Sequence, residues 1–190
     1  MRNETVEVID STKLLGTIIT KDLNRDLNTK SIVKKANARM QLLRKVASFD
    51  TPEDYLVNVY ILFIRSLLEQ SAVVWHSNLT QENAQDLERI QESAMKVILG
   101  QRYISYEKSL AKLGLESLND RREQLCMNFA KTCEKNPKFC EMFPKNTKLH
   151  AMELRDSEIF KVEHANTERF RKSAVLYMQH LLNDDAMKNQ

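Results

Sequence analysis

The stretch TKSIVKKANARMQLLRKVA, residues 29–47, decides the fold class. Ile32, Val33, Ala36, Met40, Leu43 and Ala47 recur at the i, i+3, i+4, i+7 spacing of an α-helix and give it one apolar face. The other face is basic. Between Asp26 and Asp50 there is no acidic residue, yet Lys30, Lys34, Lys35, Arg39, Arg44 and Lys45 all fall there. At about 100° per residue, Lys30, Lys34, Arg44 and Lys45 gather on the face away from Met40 and Leu43. Such a row suits a phosphate backbone, each contact adding a salt-sensitive increment. The plain alternative is the solvated face of an amphipathic helix. The missing acids count against it, because ordinary surface helices mix signs.

Working back toward the N-terminus, Val6, Val8 and the run from Leu14 to Ile19 are the only concentrated strand signals. Residues 5–9 and 13–20 flank Asp10, Ser11 and Thr12, which favour a tight turn, so a β-hairpin is expected there. Two strands alone are marginal in water. The hairpin must lean on helices or on a sheet. Gly16, one of only three glycines, interrupts the second of these runs.

Working forward, Thr51 as N-cap, Pro52, Glu53 and Asp54 announce the next helix. It runs through residues 55–75, apolar on most sides, and is expected to be central. Residues 79–100 read as a third, amphipathic helix, with Leu87, Ile90, Ala94, Val97 and Ile98 inward and Gly100 as its stop. A short helix over 105–114 ends at Gly114. A longer one over 117–135 opens on a Ser117-x-x-Asp120 capping pattern. Pro137, Pro144 and polar residues then mark 136–166 as an irregular or poorly packed connector. A last helix is expected over 167–182. The fold class is mainly α: a short N-terminal β-hairpin and a multi-helix bundle.

Composition agrees. Three Gly and three Pro in 190 residues leave room for long helices, and 42% hydrophobic residues supply a core. The formal net charge of +3 leans only mildly toward anionic partners. Three cysteines and no apolar leader at Met1 point to a reducing compartment, cytoplasmic or nuclear. The apolar run Tyr60 to Ile64 continues past Arg65 to Leu68 and is cut by Glu69. That is short of the roughly twenty residues a bilayer needs, so no membrane association is expected.

Residues with chemical potential do not assemble into a motif. Cys126, Cys133 and Cys140 lie seven apart, unlike paired zinc ligands, and read as small buried hydrophobes, with Pro137 breaking the helix before Cys140. His76, beside Trp75, reads as a capping or packing residue. His150, His164 and His180 are dispersed. Asp184 and Asp185 sit in a polar tail that reads as frayed. There is no phosphate-binding glycine loop, so neither a cofactor nor a metal is expected.

Five stretches, in order, resemble one family. KLLGTIITKDLNRDLNTKSIVKKANARMQLLRKV (13–46) resembles the segment after the catalytic palm in reverse transcriptases of non-LTR, LINE-like retrotransposons. VYILFIRSLLEQSAVVWHSNL, LERIQESAMKVILG, YEKSLAKLGLESLNDRREQLCMNFAK and RFRKSAVLYMQHLLN resemble the helical region downstream of it. The resemblance implies that Leu15 and Gly16 lie in the primer-grip strand-turn, where a residue without Cβ lets the backbone approach nucleic acid. It makes residues 29–47 the start of the thumb, with Lys30, Lys34, Lys35, Arg39, Arg44 and Lys45 as candidate nucleic-acid contacts. Arg65, Trp75, Glu88 and Arg89 match recurrent positions and read as structural. Arg25 stands where the family has Trp, and Asn28, Thr29 and Lys30 replace its His-Ile neighbourhood. The aromatic-x-Asp-Asp strand that holds the catalytic metals would lie ahead of Lys13, where there are twelve residues; Asp184 and Asp185 fall on the wrong side.

The expectation is therefore three parts: 1–27 a hairpin from the edge of a palm, 28–135 a thumb-like bundle, and 136–190 a connector with a C-terminal helix. The expected function is non-enzymatic, at most non-specific binding of an RNA or DNA duplex through the basic helix. The alternative is a helical protein–protein interaction module, self-associating through the open hairpin edge.

Overall fold

The computed structural model describes residues 9–146 and 159–188. It is mainly α, with an N-terminal antiparallel hairpin followed by helices. Two compact units divide the chain: residues up to 71 together with 79–118, and 72–78 together with 119 onward. The boundaries expected at 27/28 and 135/136 are not where these units divide; the hairpin belongs with the first helices.

In the first unit, β1 (Ser11–Leu14) pairs with β2 (Thr17–Thr20) around a turn at Leu15 and Gly16. The turn expected at Asp10–Thr12 is thus displaced, those residues leading into and forming β1; the strand expected over 5–8 lies outside the described residues. Both turn residues have positive φ, +47° at Leu15 and +90° at Gly16. That is the requirement of a type I′ turn, whose twist matches that of the strands. Glycine meets it freely, whereas Leu15 is held there at a cost of about 1–2 kcal/mol.

The hairpin leans on α1 (Asp26–Ala47), which starts three residues before the expected helix. Asn28 Oδ1 accepts the outward-pointing amide of Ile18 at 3.0 Å, replacing a third strand. At the helix start Asn24 Oδ1 accepts the Asp26 amide at 2.7 Å. Asp26 Oδ1 in turn accepts from Asn83 Nδ2 at 2.7 Å. Ile32, Ala36, Met40 and Leu43 form its buried face, as their spacing implies. Thr51 does not cap the next helix. Its hydroxyl donates to the Val46 carbonyl at 2.7 Å and closes the end of α1 instead.

The helix expected over 55–75 is neither one α-helix nor buried on most sides. α2 (Glu53–Val59) passes into a π-helical segment, Tyr60–Arg65, then into α3 (Ser66–Glu69). The chain breaks at Ser71, whose φ is +55°. α4 (Ala72–Trp75) belongs to the second unit. Leu56, Tyr60, Ile64 and Leu68 are all buried. A spacing of four drifts off one face of an α-helix by about 40° per step, and the wider π turn keeps these residues in line. Tyr55, Leu62 and Phe63 remain exposed. By length and composition alone Glu53–Asn78 could cross a bilayer, with a mean hydropathy of 1.3 over 18 residues. Arg39 Nη1 donates to the Phe63 carbonyl at 2.5 Å, engaging an acceptor within the π turn.

α5 (Gln81–Leu99) is capped by Thr80, whose hydroxyl accepts the Asn83 amide at 3.1 Å, and stops at Gly100 with φ +53°. Leu87, Ile90, Ala94 and Ile98 are buried as expected, while Val97 is half-buried. α6 (Tyr106–Leu113) runs from the Ser105 cap to Gly114. The first amide of α7 (Leu118–Lys135), that of Leu118, donates to Glu88 Oε2 at 3.2 Å.

The second unit packs the remainder of α7 with α8 (Glu168–Arg171) and α9 (Ala174–Lys188). The last helix thus splits at Lys172–Ser173 and runs beyond Leu182. Its core includes Cys126, Ala130, Phe143, Phe160, Met178 and Leu182. The connector expected to be irregular or poorly packed thus contributes two buried phenylalanines. Lys145 and Phe160 form an isolated antiparallel bridge. Asn183 continues it with side-chain atoms: Oδ1 accepts the Phe160 amide at 2.9 Å and Nδ2 donates to the Phe160 carbonyl at 3.1 Å. Its amide acts as one rung of a strand.

Candidate nucleic-acid interface

The sequence-derived residues lie in two places in the first unit, the outer face of α1 and the tip of the hairpin. On α1, Lys30, Lys34, Lys35, Arg39, Arg44 and Lys45 are all exposed. Helical geometry puts Arg44, Lys30, Lys34 and Lys45 within an arc of about 100°, spread over about 22 Å of axis between Lys30 and Lys45. Lys35 and Arg39 lie further round, on the side facing the π turn. Arg39 is committed there to Phe63. Among the described residues, no carboxylate pairs with Lys30, Lys34, Lys35, Arg44 or Lys45. On α5, by contrast, Arg89 meets Asp86 at 2.6 Å and Lys96 meets Glu92 at 2.7 Å. Among the described residues, the α1 cations thus lack the carboxylate partners that those of α5 have.

At the hairpin tip, Gly16 serves the turn. A Cβ built there would lie 2.7 Å from Gln70 Nε2, so the space left by the missing side chain is filled by Gln70 rather than left open. Gln70 Nε2 also reaches the Leu15 carbonyl at 3.5 Å. Asn28 and Gln70 therefore position the tip. Nothing in their local sequence signals this, since both partners are distant in the chain.

Other reactive side chains have structural surroundings. Among the described residues no three His, Cys, Asp or Glu side chains are grouped to hold a metal ion. Cys126 and Cys133 are buried, and burial pushes the Cys126 thiol up to about 11. Cys140 is exposed, because α7 ends at Lys135, ahead of Pro137, and carries it outside the core. Asp184 and Asp185 lie within α9 rather than in a frayed tail, and Asp185 pairs with Lys131 at 2.7 Å. Arg122 is fully buried, its guanidinium carbon 6.0 Å from the Trp75 ring centroid, a placement its polar neighbourhood in sequence does not announce. Within the first unit Glu88, Arg89, Gln85, Glu92 and Tyr106 line a cavity of about 250 Å³. Burial and the hydrogen bond to Glu88 hold the Tyr106 hydroxyl well above its ordinary range.

His76 follows Trp75 in a single 3₁₀ turn and packs edge-on to Tyr177, with ring centroids 5.6 Å apart. Burial, then the nearby Arg122 cation, lowers its pKa from 6.5 to about 4. The unfolded chain therefore takes up this proton first. Its contribution to stability is full above pH 6.5 and is lost as pH falls toward 4. Discounting the part of the ring that water reaches, the loss is about 2 kcal/mol. Urea midpoints read from Trp75 fluorescence should fall between pH 7 and pH 4.5, and His76→Phe should flatten that fall. A variant that tracks the parent would refute the assignment.

No family model matches the chain, and neither curated proteins nor solved structures provide a match.

Proposed function

We propose that the first unit is a nucleic-acid-binding module that holds an RNA or DNA duplex by its phosphates along the outer face of α1. The observation that carries this reading is the run of exposed cations with no acid between Asp26 and Asp50 and no carboxylate partner among the described residues. In the same reading the chain corresponds to the region following the palm of non-LTR retrotransposon reverse transcriptases, α1 being the start of the thumb. It assigns no residue a chemical step; binding is non-specific, since phosphate contacts carry no sequence information.

A labelled 20-base-pair duplex titrated at low salt tests the reading. The parent chain should bind, and replacing Lys30, Lys34, Arg44 and Lys45 by alanine should weaken binding by roughly one to two orders of magnitude. Equal affinity of the two proteins would refute it.

A second reading, a protein–protein interaction module, rests on a different observation. β1 exposes all four residues along an open edge, and Leu62 and Phe63 are exposed on the π turn. Sedimentation at low and high salt separates the two readings, because association through apolar surface and strand edges persists at high salt, whereas phosphate binding does not.

A further inference from the structure

One exposed face of the first unit carries apolar side chains in its middle and opposite charges at its two ends. On α1, Lys35, Arg39 and Leu42 fall within an arc of about 60°. Arg39 meets the Phe63 carbonyl at 2.5 Å, so this side of α1 lies against the π segment. Beside it, α2 and the π segment expose Tyr55, Leu62 and Phe63, with Leu62 67% accessible. Phe49, in the connection between the two helices, is 72% accessible. From Tyr55 to Gln70 the only charged residues are Arg65 and Glu69, which pair with each other at 3.6 Å and are largely covered. The chain turns back between α1 and α2, so Lys35 and Arg39 stand at the Phe63 end of this face. Asp50 and Asp54 stand at the other end, beside Phe49 and Tyr55. Lys35, Asp50 and Asp54 are exposed and have no ion-pair partner among the described residues. Apolar side chains gathered in water on one face mark an interaction surface.

Resting on the second reading above, we infer that this face docks a second copy of the chain about a two-fold axis. Two-fold symmetry lays a patch onto itself in reverse, so one end of it meets the other. An axis near Val59, midway between Tyr55 and Phe63, brings Phe63 onto Tyr55 of the partner subunit and sets Leu62 of each copy beside the axis. The same axis brings Lys35 to Asp50 of the partner subunit, about 18 Å of helix separating Lys35 from the end of α1. The charge pattern favours this occupant over others. An anionic bilayer would meet Asp50 and Asp54, and a side-by-side contact in the same direction would set cation against cation. Reversal of the patch answers both ends at once. Lys30, Lys34, Arg44 and Lys45 lie outside this arc of α1, so each copy keeps the face given to phosphates.

Sedimentation of the full chain, freed of nucleic acid, should show a monomer–dimer equilibrium over roughly 1–100 μM. Leu62→Asp sets two carboxylates beside the axis and should weaken the dimer at least about tenfold. Lys35→Glu and Asp50→Lys should each weaken it roughly threefold to tenfold at low salt, because the pair occurs twice in the contact. The double variant Lys35→Glu, Asp50→Lys restores opposite charges and should return to within about twofold of the parent. All three side chains are exposed, so circular dichroism should show the parent's helix content in every variant. A dimer that tolerates Leu62→Asp, or a double variant that dimerises no more tightly than either single one, would overturn this docking. Lys13 is paired with Ile18, whose amide points outward, so Lys13→Pro removes an amide from the open edge of β1. A dimer lost with Lys13→Pro but not with Leu62→Asp would overturn the inference and leave the second reading standing. A parent that stays monomeric throughout would overturn both, and binding of that monomer to phosphatidylserine vesicles would assign the face to a lipid surface instead.

Discussion

Replacing Gln91 by leucine should destabilise the protein by about 3–4 kcal/mol, although the substitution is close in size and places an apolar side chain in a fully buried position. Gln91 Oε1 accepts the Tyr60 hydroxyl at 2.5 Å. Its Nε2 donates to the Tyr106 hydroxyl at 3.1 Å and to the Glu116 carbonyl at 2.8 Å. One amide thereby joins the π turn, α5, α6 and the segment before α7. The hydroxyl of Tyr106 also bonds Glu88, the residue that receives the first amide of α7. Leucine would leave the hydroxyl of fully buried Tyr60 and the Glu116 carbonyl without this partner, at about 1–3 kcal/mol for each such group. Melting followed by circular dichroism should show Tm lowered by roughly 8–15 °C. A change below 3 °C would mean that these groups find water or other partners.

Asn183→Ala should cost about 3 kcal/mol in the second unit. Asn183 is 2% exposed and meets both the amide and the carbonyl of Phe160, whose ring is itself buried. Alanine forfeits two hydrogen bonds and leaves two backbone groups unsatisfied, each loss falling in the range for buried polar groups. One turn earlier on α9, Gln179 Nε2 donates to the Met142 carbonyl at 2.7 Å, so a pair of amides spaced i, i+4 holds irregular chain against the helix. Trp75, the single tryptophan, is buried in the same unit and reports the change directly. The urea midpoint of its fluorescence should shift down by about 1–2 M at an unchanged slope. Asn183→Asp, which keeps the acceptor but not the donor, should fall between parent and alanine near neutral pH. An alanine variant with the parent's midpoint would contradict the role given to this side chain.

These two residues also show where the sequence was legible and where it was not. The apolar period of α1 and α5, the stops at Gly100 and Gly114 and the burial of Cys126 and Cys133 follow from local pattern. So does the basic face of α1, which is composition placed on a helix. The π turn did not follow, because a four-residue spacing within a largely apolar run reads as a central helix, apolar on most sides. The hairpin was misplaced because leucine is a poor residue for a left-handed turn, so the local rules favoured Asp10 to Thr12. Asn183 sits among polar residues and reads as tail; only its meeting with Phe160, 23 residues away, gives it a role. Arg39 was legible as a cation, but not as one already engaged by the carbonyl of Phe63.

The central claim, that α1 follows a phosphate backbone, is tested most directly by the salt dependence of duplex affinity. Each phosphate neutralised on B-DNA contributes about −0.9 to the slope of log K against log salt concentration, so three or four contacts predict a slope near −3 to −4. Alanine at Lys30, Lys34, Arg44 and Lys45 should bring that slope close to zero. A parent slope near zero, or the same steep slope in both proteins, would contradict the account.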